Sequence, residues 1–199
     1  WHQWRIPHTG VSNNIIYPVG NINIVYIKHY NTEVIAMRKT RSSEMIEYKN
    51  IIMNEICQSK ELVKLLGYEG EEYPETKIPF TCSFPHEYMP DTVTETERFI
   101  NFDIEAGIDP ANNTFRNVTI YFYITCHEAA VRYEEDGQTF LWYDKVTCEL
   151  DHILCEKNSP GIGKTVLISN KPYCPQNKFK GRLLKFTVKD FSNGFKNGK

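Results

Sequence analysis

The sequence predicts an α+β fold: a mainly antiparallel sheet with two main helices on one face, in the order helix, strand, strand, helix, strand. Two patterns carry this expectation. From Val118 to His127 the residues alternate, with Val118, Ile120, Phe122, Ile124 and Cys126 on one side and Thr119, Tyr121, Tyr123, Thr125 and His127 on the other. Successive side chains of a strand point to opposite faces, so a period of two marks a strand with one buried face. On either side of this region the apolar period lengthens to three or four residues, the mark of an amphipathic helix.

Taken in order, the elements begin after a distinct leader. Residues 1–36 carry only Arg5, Lys28 and Glu33 as formal charges and are rich in Asn, Ile and Tyr; Met37-Arg-Lys-Thr-Arg41 then reads like a natural start. The leader is either upstream sequence carried into the reading frame or a genuine N-terminal arm, since Asn21 to Ile27 alternates like a short strand. A single α+β domain is expected over 37–191, with a fraying tail at 192–199.

Ser42 and Ser43 before Glu44 are a helix start, and Met45, Tyr48, Ile52 and Ile56 place an amphipathic helix over about 42–57. Ser59 is a candidate cap for a short second helix with Leu62, Leu65 and Leu66, ended by Gly67. Pro74 and Pro79 predict extended or irregular chain. Ile100, Phe102 and Ile104 alternate with Asn101, Asp103 and Glu105, and the turn-forming stretch from Gly107 to Asn113 links this strand to the one beginning near Val118. Trp142, Val146, Leu150 and Ile153 form the stripe of a second main helix over about 140–156, stopped by Pro160, Gly161 and Gly163. A short strand at Val166–Ile168, a turn at Lys171–Tyr173 and a last strand through Leu184, Phe186 and Val188 complete the fold.

The chain has 199 residues and a formal charge of −2. That balance disfavours DNA binding through a basic surface. No run reaches the roughly 18 apolar residues of a membrane span, so no membrane partner is expected. The six cysteines are scattered without a CxxC pair and read as reduced thiols.

Each candidate for chemistry meets a physical objection. Pro160-Gly-Ile-Gly-Lys-Thr165 lacks the glycine that a phosphate loop needs at position 158, which is Asn, and follows a helix where a strand is required. Cys148, His152 and Cys155 share a helix side, but residues seven apart rise about 10 Å, too far for one zinc to bind both thiolates. A metal-dependent enzyme using Cys148 or His152 would need distant ligands. Cys126 and His127 are strand neighbours and point apart, whereas Cys82 and His86 in a proline-bounded loop could pair. Glu134, Glu135 and Asp136 before Gly137 read as a solvated, unperturbed turn. No catalytic, cofactor-binding or metal-binding residue is assigned, and no cofactor is expected.

What remains is the outward side of the central hairpin, where Tyr121, Tyr123 and His127 lie with Phe99 nearby. Aromatic residues are enriched at subunit contacts, so these four are the candidate interface; the alternative is that the rings lie under a loop or the first helix.

The order of elements resembles that of the tail-terminator and tail-completion proteins of long-tailed phages. The matching segments are Glu44–Leu66, Ile78-Pro79-Phe80, Glu97–Ile104, Arg116–Ile124, Asp144–Leu154, Gly161–Lys164, Lys171–Pro175 and Leu183–Asp190. The resemblance implies a virion protein of the neck, assembled in the host cytoplasm. It implies a ring, usually of six copies, that caps the tail tube protein and docks it to the head connector or head-closure protein, with DNA passing through the opening unread. A head-closure or adaptor protein of the same neck, or a monomeric partner-binding module unrelated to virions, are the alternatives.

Overall fold

A computed structural model describes residues 41–90, 98–108, 115–156 and 165–191. The leader at 1–36, the turn residues 109–113, the glycines at 161 and 163 and the tail at 192–199 lie outside the described residues.

Helix α1 (Arg41–Gln58) buries Tyr48, Ile52 and Ile56 along the anticipated stripe, with Met45 half-buried on it and Met53 buried beside it. Ser59 caps α2 (Lys60–Leu65), its hydroxyl accepting the Leu62 N–H at 3.2 Å. Gly67 ends that helix with φ +85°, a conformation that costs a residue without Cβ nothing. Pro74, expected to break regular structure, instead opens a one-turn helix α3 (Pro74–Lys77). At the first helical position its missing N–H and fixed φ cost nothing.

Four strands form the main sheet in the order β1-β2-β6-β5, every pair antiparallel. They are β1 (Arg98–Ile108), β2 (Phe115–His127), β5 (Thr165–Tyr173) and β6 (Phe179–Phe191). Register puts Ile100 beside Ile124, Phe102 beside Phe122 and Ile120 beside Phe186, so the apolar positions of three strands share the inward face. Against that face pack α1, α2 and α4 (Trp142–Asp151), whose Trp142, Val146 and Leu150 are fully buried. The fold is thus α+β with a mainly antiparallel sheet and both main helices on one face. Trp142 Nε1–H donates to Leu65 O at 2.7 Å, and Arg98 lies over the same indole while donating to Leu65 O and Ala130 O.

The Glu134–Gly137 stretch is a turn, as read, and it closes a hairpin that the sequence did not announce, β3 (Arg132–Glu135) with β4 (Gln138–Leu141); Asp136 (φ 49°) and Gly137 (φ 74°) are both left-handed, as the favoured hairpin turn demands. Two further expectations need correction. The second main helix begins as expected but gives way to a π-helical turn at His152–Glu156. Lys171-Pro-Tyr173 is strand, not turn. β5 is an edge strand, where proline's missing N–H breaks no ladder bond.

Candidate functional site: the outward face of the sheet

Strand register lays out the outward face in rows. The first is Glu105, Thr119, Thr187 and Val166; the second Asp103, Tyr121, Lys185 and Ser169. The third is Asn101, Tyr123, Leu183 and Lys171, and the fourth Phe99, Thr125, Gly181 and Tyr173. His127 beside Phe179 closes that end. All four predicted interface residues therefore share this face, as alternation requires, but they do not share an environment.

Phe99 is only 1% exposed, and Asn101 and Thr125 are fully buried. Their cover is the chain's own segment 82–90, a strap that lies along the β1 edge and crosses the outward face. The backbone N–H groups of Ile100 and Phe102 donate to Cys82 O and Phe84 O, both at 3.0 Å. Asn101 pins the strap through its amide: Oδ1 accepts from Phe84 N at 3.1 Å and Nδ2 donates to Tyr88 O at 2.7 Å. Ser83 Oγ donates to Ile100 O at 2.7 Å. Tyr88 stacks on Phe84 with ring centroids 4.0 Å apart and meets Phe99 edge-on at 5.9 Å. At the far side the Tyr173 hydroxyl donates to the Glu87 carboxylate, and Gln176 Nε2 reaches Pro90 O at 3.3 Å. Burial, then the bond to Glu87, drives the Tyr173 hydroxyl well above the usual phenol range.

Phe99 is thereby removed as an interface residue: it is a β1 residue buried beneath the chain's own strap. His127 also belongs to the covered end. Its Nδ1 accepts the Ala129 N–H at 3.3 Å, capping the 3-10 turn at Glu128–Ala130, and its ring meets Phe179 at 5.6 Å. Thr125 Oγ1 and His127 Nε2 are buried there without a hydrogen-bond partner among the described residues.

Tyr121 and Tyr123 are different, each half-buried and each partly in solvent. Tyr121 Oη donates to Glu105 at 3.2 Å, and Lys185 Nζ lies 5.6 Å from the same ring. Tyr123 packs against Tyr173 at 5.6 Å, and burial is the main cause raising its hydroxyl above the usual range. The uncovered end continues onto β5, where Val166 is 49% and Ile168 54% exposed beside a register shift.

The other candidates separate. Cys82 is buried, its Sγ 3.7 Å from Ile78 O and its thiol pushed up to about 12 by burial, whereas His86 is exposed; they are not a catalytic pair. Cys126 is buried on the inward face, opposite His127. Cys148 is exposed and Cys155 half-buried, and all six cysteines are free thiols. Glu135 departs from the solvated, unperturbed reading. Lys145 and Lys64 each approach it to 2.7 Å, and those bonds hold its carboxyl down to about 2. It ties the small hairpin to α4 and α2 and lines a shallow, acidic-rimmed depression of about 490 Å³ with Glu61, Asp136, Cys148 and Glu149. The residues 157–164 around the glycine-rich motif lie outside the described ones.

Sequence reasoning missed the strap. Its signal was present in Phe84, His86 and Tyr88, alternating between Pro79, Pro85 and Pro90, an extended run with rings on one side.

Fold and face together define an α+β protein with one half-covered sheet surface. A family model matches residues 59–188, from the α2 cap to Val188 of β6, and the chain belongs to the family it describes, the phage-derived YomW family. No curated protein matches the chain.

Proposed function

We propose that this chain is a structural protein of the phage neck, of the tail-terminator type. It self-associates into a ring, usually of six copies, that ends the tail tube and joins it to the head connector while DNA passes through without sequence recognition. The observation that carries the proposal is the open end of the outward face, where Tyr121 and Tyr123 keep their rings partly in water on a chain of a phage-derived family. A head-closure role in the same neck would use the same surface.

Size limits what that face can do alone. Four strands spaced about 4.8 Å apart, over two open rows of about 6.7 Å, present roughly 260 Å². A permanent contact buries about 2,000 Å² in total, or about 1,000 Å² per partner. A ring therefore needs further surface beyond the open rows. The strap supports a second reading, a monomeric partner-binding module, because it already satisfies half of the face within one copy.

Light scattering on the purified chain, followed by negative-stain microscopy with and without isolated tail tubes, separates the readings. Rings or capped tube ends are expected. A monomer persisting to high concentration, leaving tube ends bare, would overturn the neck role and leave the module.

A further inference from the structure

The two flanks of the sheet are unlike in charge and alike in exposed apolar surface. On the β5 flank, Val166 and Ile168 stand about half exposed beside the exposed Lys171. Neither Lys171 nor the half-buried Lys185 has a carboxylate within ion-pair distance among the described residues. On the β1 flank the exposed Glu105 has a phenol for its partner, not a cation. Asp103 beside it is held by Lys49 of α1 at 2.8 Å, which fixes α1 along this margin. Ile46, 48% exposed, lies three residues before Lys49 and so on the same side of α1. One flank thus offers aliphatic side chains with a lysine, and the other an aliphatic side chain with a carboxylate.

We infer that copies of this chain join head to tail through these flanks, with Val166, Ile168 and Lys171 of one copy against Ile46 and Glu105 of the next. The inference rests on the self-association proposed above and names the flanks that add to the open rows carrying Tyr121 and Tyr123. Opposite charge on opposite flanks is the layout a head-to-tail contact needs, because the surface that docks differs from the surface that receives. A two-fold contact of either flank with itself would set Lys171 near Lys171, or Glu105 near Glu105, and like charges across a contact are penalised. The strap sharpens the choice. It occupies the β1 edge at Ile100 and Phe102, so the incoming copy meets side chains there and not an open backbone ladder. Lys171, Pro172 and the register shift likewise blunt the β5 edge against strand addition.

The test uses two variants of the full chain, Ile168→Arg to block the β5 flank and Glu105→Arg to block the β1 flank. Both positions are exposed, so circular dichroism and the melting transition are expected to match wild type. Each variant alone is expected to stay monomeric under conditions where wild type assembles. Mixed in equal amounts they retain one good flank each and are expected to form a one-to-one dimer that goes no further. If wild type assembles and either variant still assembles, or the mixture stays monomeric, the flank assignment is overturned while the neck role stands. If wild type never assembles, both fall. A charge exchange refines the result: Lys171→Glu alone weakens assembly about tenfold, and Lys171→Glu with Glu105→Lys in one chain restores it.

Discussion

The two ends of the outward face are cut from the same strands, yet one is core and the other is surface. At the covered end, Asn101 spends its amide on two backbone groups of the strap and Phe99 is sealed beneath Tyr88. At the open end, two rows along, Tyr121 and Lys185 are each half-buried, with the lysine Nζ 5.6 Å from the centre of the Tyr121 ring. Strand alternation is identical in the two places. The difference is made by a segment about 15 residues away in sequence, which no local period reveals.

The sharpest break in this comparison is expected at Gly181, in the covered row. A Cβ there would lie 1.7 Å from Ile124 O, a backbone atom that cannot step aside. Gly181→Ala is expected to cost about 3 kcal/mol or more, enough to leave much of the chain unfolded. Denaturant titration followed by circular dichroism measures it, and a wild-type midpoint would show that β2 and β6 are not packed as described. Phe99→Ala comes next, at about 3–5 kcal/mol for emptying a buried ring site. Asn101→Ala should cost about 1–3 kcal/mol by leaving Phe84 N–H and Tyr88 O without their side-chain partner, and should speed proteolysis of the strap. Tyr121→Ala, at the open end, is expected to change stability by less than about 1 kcal/mol while weakening self-association.

The smallest effect lies away from the face. Glu135 is held down to about 2 by Lys145 and Lys64, below the usual carboxylate value of 4.5. A carboxyl with a lowered folded value stabilises the fold above its unfolded value and loses that contribution as pH falls through the folded one. Stability should therefore decline between about pH 4.5 and pH 2, and Glu135→Gln should flatten that part of the pH profile. An unchanged profile would mean the two lysines do not hold it in solution.

Much of the fold was legible because it rests on local periods. The stripe from Tyr48 to Ile56, the Ser59 cap, the β2 alternation and the stripe from Trp142 to Leu150 are all short-range patterns, and each forms as read. The class of fold followed from them. The length of β5 was hidden by Pro172, which reads as a turn unless the strand is known to be an edge. The small hairpin was hidden because β3 and β4 have four residues each and little apolar alternation.

The site was legible only in part. Alternation placed Phe99, Tyr121, Tyr123 and His127 on one face, and that face exists. It could not say that Phe99 would be covered, because the cover depends on tertiary hydrogen bonds from Asn101, a residue that reads as an outward polar position. Nor could it show Ile168 standing out beside the register shift of β5. A lone aliphatic residue in a strand gives no sign of its exposure.

The division of the outward face is tested most directly by measuring Phe99→Ala and Tyr121→Ala side by side for both unfolding midpoint and assembled fraction. Phe99→Ala should lower the midpoint severalfold more than Tyr121→Ala, and Tyr121→Ala should lower the assembled fraction with its midpoint nearly unchanged. Equal losses of stability, or an assembled fraction indifferent to Tyr121, would contradict it.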